Sequence, residues 1–159
     1  MSFVVSGLPV APFQSLFGQS EAALAAQGVI RMTSDAAVGF PCRITLEDAP
    51  VGETVLLLNY EHQPADTPYR SRHAIFVREA ASATTSTRDA IPPCLAVRPF
   101  ISLRAFDVDG MMLDAEVVPG AELTGLIERL LALPDAAYLH AHYAGRGCYA
   151  ARIDRAIQV

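Results

Sequence analysis

The sequence predicts an α+β fold: a single domain with a mixed or mainly antiparallel β-sheet and two or more short helices. Three observations carry this. Several short segments alternate apolar and polar side chains, or run apolar without a break, as strands do. Neighbouring segments are joined by turn signals such as Asp109-Gly110 and Ala144-Gly145-Arg146-Gly147, which mark hairpins. No regular strand–helix alternation, Gly-rich loop after the first strand or internal repeat is present, which sets aside doubly wound and solenoid architectures.

The elements follow in order. Phe3, Val4 and Val5 suit a first strand, and Pro9 and Pro12 break what comes next. Ser20 precedes Glu21 and an Ala/Leu run that stops at Gln27-Gly28, a short helix with Ser20 as N-cap. Val29 to Met32 is β-prone. Cys42 to Leu46 alternates, so a strand there puts Cys42, Ile44 and Leu46 on one face and Arg43 and Thr45 on the other. Thr54 to Tyr60 has an unbroken Val-Leu-Leu-Leu centre and reads as a central strand. Glu61 to Arg72, with Pro64 and Pro68, reads as a loop, and Ala74 to Arg78 returns to strand. Ala80 to Ala90 reads as an unstructured surface connection, and Cys94 to Arg98 as a short element. Phe100 to Asp107 and Met111 to Val118 form a hairpin around Asp109-Gly110. Glu122 to Leu131 is the clearest helix, with Leu123, Ile127, Leu130 and Leu131 in one stripe. Tyr138 to His142 and Cys148 to Ile153 supply the last two strands. One domain over 1–159 is expected.

The 159 residues include 52% apolar and only 18% charged side chains. That composition excludes disordered, collagen-like and coiled-coil chains. All twelve basic residues are Arg, which excludes lysine Schiff-base chemistry and a P-loop. The net charge of −5 opposes binding to nucleic acid or acidic lipid. Cys42, Cys94 and Cys148 are widely spaced and odd in number, which argues against a disulfide framework. No signal-peptide pattern or membrane-length apolar run is present, so a cytoplasmic protein without nucleic-acid or membrane partners is expected.

Two groups of residues could carry chemistry. His140 and His142 stand at i and i+2 on a predicted strand, roughly 7 Å apart on one face. Cys148 follows across a turn. If five residues form that turn, both histidines and Cys148 share a face, as candidate zinc ligands or as catalytic groups. If four residues form it, Tyr143 pairs with Cys148 and the thiol moves to the other face. The second group is the stretch from Tyr60-Glu61-His62 to Tyr69-Arg70-Ser71-Arg72-His73, with Arg43 as a further anion-binding candidate.

Matching pieces over most of the chain resemble a bacterial family known only as domain of unknown function 1203. They include Phe40-Pro41-Cys42-Arg43-Ile44-Thr45-Leu46, Gly52-Glu53 with Val55-Leu56-Leu57-Leu58 and Tyr60, Pro68-Tyr69 and Ala74-Ile75-Phe76-Val77. Further on stand Ser102-Leu103-Arg104-Ala105-Phe106, Val118-Pro119-Gly120, Tyr138-Leu139-His140-Ala141-His142 and Gly147-Cys148-Tyr149 through Asp154-Arg155. The resemblance implies a family-like core at about 20–156 and brings no assigned activity, cofactor or catalytic residue.

Three functional classes follow. The first is a polar pocket for a small anionic molecule, lined by Arg43, Tyr69, Arg70, His140 and His142. The second is a structural or interaction module acting as a homodimer. The third is a metal- or thiol-dependent enzyme using His140, His142 and Cys148, with zinc as the candidate cofactor.

Overall fold

The computed structural model describes residues 1–157. Nine strands lie among the described residues. They are β1 (Phe3–Ser6), β2 (Ile30–Thr33), β3 (Thr54–Gln63), β4 (Ser71–Arg78), β5 (Ser86–Arg88), β6 (Ile101–Phe106), β7 (Met112–Val118), β8 (Tyr138–Tyr143) and β9 (Tyr149–Arg155). The helices are α1 (Ala11–Gln14), α2 (Glu21–Ala25), α3 (Pro93–Ala96) and α4 (Leu123–Leu131). Six strands form a larger sheet in the order β5-β1-β9-β8-β6-β7, and β2-β3-β4 form a smaller one. Every strand pairing in both sheets is antiparallel. The architecture is α+β.

Local chemistry accounts for the elements that position the rest. Ser20 Oγ accepts the Ala23 N–H at 3.1 Å and caps α2. Asp107 Oδ1 accepts the N–H groups of Asp109 and Met111, both at 2.9 Å, and shapes the β6–β7 turn. Helix α4 buries Leu123, Leu126, Ile127, Leu130 and Leu131. These pack on Ile101, Leu103, Ala105, Leu139, Ala141 and Ile153 of the larger sheet. Each buried Leu or Ile side chain here contributes about 1.5–3 kcal/mol of hydrophobic stabilisation. The Arg155 guanidinium donates to the carbonyls of Leu131 and Ala136 and so satisfies groups that the end of α4 leaves open. A second apolar cluster joins Leu56, Ile75 and Val77 of the smaller sheet to Leu24 of α2, to Ile44 and to Tyr149 of β9.

The structure departs from the sequence pattern in four places. Cys42 to Leu46 is a tight turn, not a strand. Its backbone is spent on several partners: the Arg43 N–H donates to Phe76 O, Arg43 O accepts from Leu8 N–H, and the Leu46 N–H closes back on Cys42 O. Gly7 permits this approach, because a Cβ there would lie 2.2 Å from the Ile44 carbonyl oxygen. Strand β3 runs on to Gln63, and β4 begins at Ser71, so the expected loop of 61–72 shortens to Pro64–Arg70. The polar stretch 80–90 contributes β5, which pairs with the edge of β1. Residues Ala11–Gln14 form α1 despite Pro12, which sits in the first turn where no N–H is needed.

Candidate metal centre

The centre forms where the smaller sheet covers the polar face of the larger one. Along β8 the side chains alternate. Leu139 and Ala141 enter the α4 core, while His140 and His142 point to the opposite face. Facing them is the end of β3, whose inward row Leu56, Leu58, Tyr60 continues to His62. His73 stands opposite Tyr60 on β4 and joins the same row.

One ring nitrogen from each of His62, His140 and His142 lies within 4.8 Å of the other two. All three residues are buried, His142 completely. Their ring centroids are 5.0 Å (His62–His142), 6.0 Å (His62–His140) and 6.4 Å (His140–His142) apart. Tyr149 packs its ring parallel to His62 at 5.2 Å and edge-on to the other two. Outer hydrogen bonds orient the rings. His142 Nδ1–H donates to the Gly147 carbonyl at 2.9 Å, which leaves Nε2 as the bare nitrogen. His62 Nε2 meets His73 Nδ1 at 2.9 Å, and the two rings are nearly parallel. His62 Nδ1, His140 Nδ1 and His142 Nε2 are buried and have no hydrogen-bond partner. Unpaired buried polar atoms are costly and rare, and each of the three clustered histidines carries one.

Protonation does not block these nitrogens. Burial lowers His62 to about 4, His140 to about 2 and His142 to about 3. Neighbouring imidazoles and the Arg104 guanidinium push each of them the same way. Burial also lowers His73. At neutral pH the cluster is a set of uncharged imidazoles with available lone pairs.

A β-bulge decides the place of Cys148. Ala141 pairs with Ala151, but His142 pairs with Tyr149, so Ala150 is an extra residue on β9. The turn holds four residues, and Tyr143 N–H donates to Cys148 O at 2.9 Å. Tyr149 therefore joins the histidine face, and the Cys148 thiol lies on the other, 3.2 Å from Arg43 Nη2. Arg43 is itself buried and lines a neighbouring cleft of about 560 Å³ together with His73, Arg98, Tyr143, Arg146 and Cys148. Tyr69 is exposed, and Arg70 forms a surface ion pair with Glu61, so neither reaches the histidines or the cleft. Of the sequence candidates, the structure thus joins His140 with His142, and Arg43 with Cys148. His62 and His73 complete the centre. Their sequence signal is the alternation of Leu58, Tyr60 and His62, which extends β3 past the point where polarity suggests a loop.

Residues 39–155 match the model of a family described as a protein of unknown function, DUF1203. The chain belongs to the DUF1203 family. No curated protein and no solved structure matches it. The DUF1203 segment carries all four clustered histidines and the cleft residues Arg43, Arg98, Arg146 and Cys148. Strand β1, helices α1 and α2, and β2 lie before it. No helix among the described residues is long and apolar enough to cross a membrane.

Proposed function

We propose that this protein binds one divalent transition-metal ion, zinc by its donor chemistry, through His62 Nδ1, His140 Nδ1 and His142 Nε2. The carrying observation is a cluster of three buried histidines from two different sheets, one ring nitrogen of each within 4.8 Å of the other two, in which every ring also has a buried nitrogen without a hydrogen-bond partner. Zinc takes imidazole nitrogen at about 2.0–2.1 Å, which sets tetrahedral donors about 3.3 Å apart. The ring nitrogens, within 4.8 Å of one another, would close to that spacing on binding the ion. With the His62 Nε2–H donated to His73 and the His142 Nδ1–H to Gly147, the other ring nitrogen of each would carry the lone pair that the ion needs. Three neutral nitrogen ligands leave a fourth position for water, the pattern of catalytic rather than structural zinc. A bound ion would lower the proton affinity of that water and supply a nucleophile. His73, between the centre and the cleft, is placed to move a proton between them.

The test is a titration of chelator-treated protein with zinc and with cobalt at pH 7.5, read by calorimetry and by the visible absorption of four-coordinate cobalt. One equivalent per chain is expected, lost in His140→Ala and in His62→Ala. Uptake below about a tenth of an equivalent by protein that circular dichroism shows to be folded would overturn the proposal. The imidazoles would then be a buried polar network of the core.

A further inference from the structure

We infer that the cleft beside the histidine centre binds a small organic oxyanion, a carboxylate or a phosphate carried on an apolar body. The inference does not depend on a metal ion. Its volume of about 560 Å³ falls in the range of metabolite sites. Three of the chain's guanidinium groups, Arg43, Arg98 and Arg146, line it together with His73, and no carboxylate does. This contrasts with the chain as a whole, where 17 acidic residues outnumber 12 basic ones.

Arg43 carries the argument. It is only 2% exposed, and its hydrogen bonds all go to uncharged or weakly polar acceptors: Tyr149 O at 2.8 Å, Pro41 O at 2.7 Å and Cys148 Sγ at 3.2 Å. A guanidinium has five N–H donors, so two remain for a ligand. No acidic side chain among the described residues pairs with it. A buried cation without an anion is costly, and an oxyanion entering from the cleft removes that cost. The guanidinium groups of Arg43 and Arg98 both pack against the Tyr143 ring, 5.1 and 5.2 Å from its centroid, so one aromatic side chain helps to hold both cations at the cleft. Arg98 keeps one ion pair, with Asp48 at 2.7 Å. Arg146 is exposed on the β8–β9 turn and has no ion pair among the described residues. The remaining wall is apolar, with Leu57, Phe76 and Phe100. A bare inorganic ion would leave that wall unused, and an organic acid would cover it.

Cys148 reports on occupancy. It is half-exposed in the cleft wall, whereas Cys42 and Cys94 are buried. Iodoacetamide alkylation of Cys148 is followed by mass spectrometry with phenyl phosphate, benzoate or uncharged benzyl alcohol present. Calorimetric titration of the same compounds reads binding directly. A saturating anion is expected to slow alkylation about tenfold, with little effect from benzyl alcohol. Arg146→Glu is expected to raise the half-protecting concentration about tenfold. Protection by phenyl phosphate alone assigns a phosphate ester, and protection by benzoate alone a carboxylate. The inference fails if neither anion protects or gives heat, if benzyl alcohol matches them, or if Arg146→Glu changes nothing.

Discussion

The two faces of the larger sheet are made by the same strands and differ in what completes them. On one face Ile101, Leu103, Leu139 and Ile153 meet the leucine stripe of α4 in one apolar cluster. On the other, Ser102, Arg104, His140, His142 and Tyr149 stand on the same strands one residue out of phase. That face is covered by β3 and β4, which bring two more histidines. The first face gains stability from area alone. The second encloses unpartnered nitrogens, which lower stability unless something binds them. Stability and chemistry are therefore divided between the faces of one sheet.

The largest separation of the two faces is by pH. His62, His140 and His142 have folded-state proton affinities well below the unfolded value of about 6.5. Their neutral burial costs nothing extra above that pH. As pH falls from about 6.5 toward 4 the unfolded chain takes up protons that the folded one refuses. Stability drops by about 1.4 kcal/mol per pH unit for each histidine. Urea denaturation of metal-free protein between pH 7 and 5, where most carboxylates are still ionised, measures the slope. A flat profile would mean that these imidazoles are hydrated and ordinary.

Next in size is the apolar face. Ile127→Ala in α4 removes a fully buried side chain and is expected to cost about 2–5 kcal/mol, seen as a lower denaturation midpoint without loss of metal uptake. The histidine face should respond with the opposite sign. His140→Leu replaces a buried imidazole with an unpartnered nitrogen and is expected to stabilise the metal-free protein by about 1–3 kcal/mol while abolishing metal binding. Destabilisation by that substitution would show that His140 has a structural partner. The smallest effect belongs to Arg70→Ala, at an exposed ion pair with Glu61. It should leave the unfolding midpoint, metal uptake and anion protection of Cys148 unchanged.

The apolar face was the legible one. Periodicity places α4, the β6–β7 hairpin and the inward side of β8 from the residues alone, because area burial follows spacing. His140 and His142 share a face for the same reason. The centre as a whole was not legible, because it depends on three non-local events. His62 enters through the extension of β3 into residues whose polarity suggests a loop. Cys148 leaves through one extra residue, Ala150, which inverts the facing of everything before it on β9. Arg43 is buried because Cys42 to Leu46 folds as a turn whose carbonyls and amides are taken by Leu8, Phe76 and Thr85. Alternation in those five residues is real, but the backbone partners that decide their shape lie more than thirty residues away.

Strand β1 has a consequence for the order of assembly. It lies inside the larger sheet between β5 and β9, with Phe3 opposite Arg155. In a chain emerging from the ribosome, β1 waits through the synthesis of every other strand before its partner β9 exists. The six-stranded sheet therefore closes only after synthesis of β9, and pairing across such a span makes closure slow. Until then the imidazoles of β3 and β8 stand on separate, incomplete sheets. The nascent chain is exposed to edge-to-edge association during the interval when the histidine centre is not yet assembled.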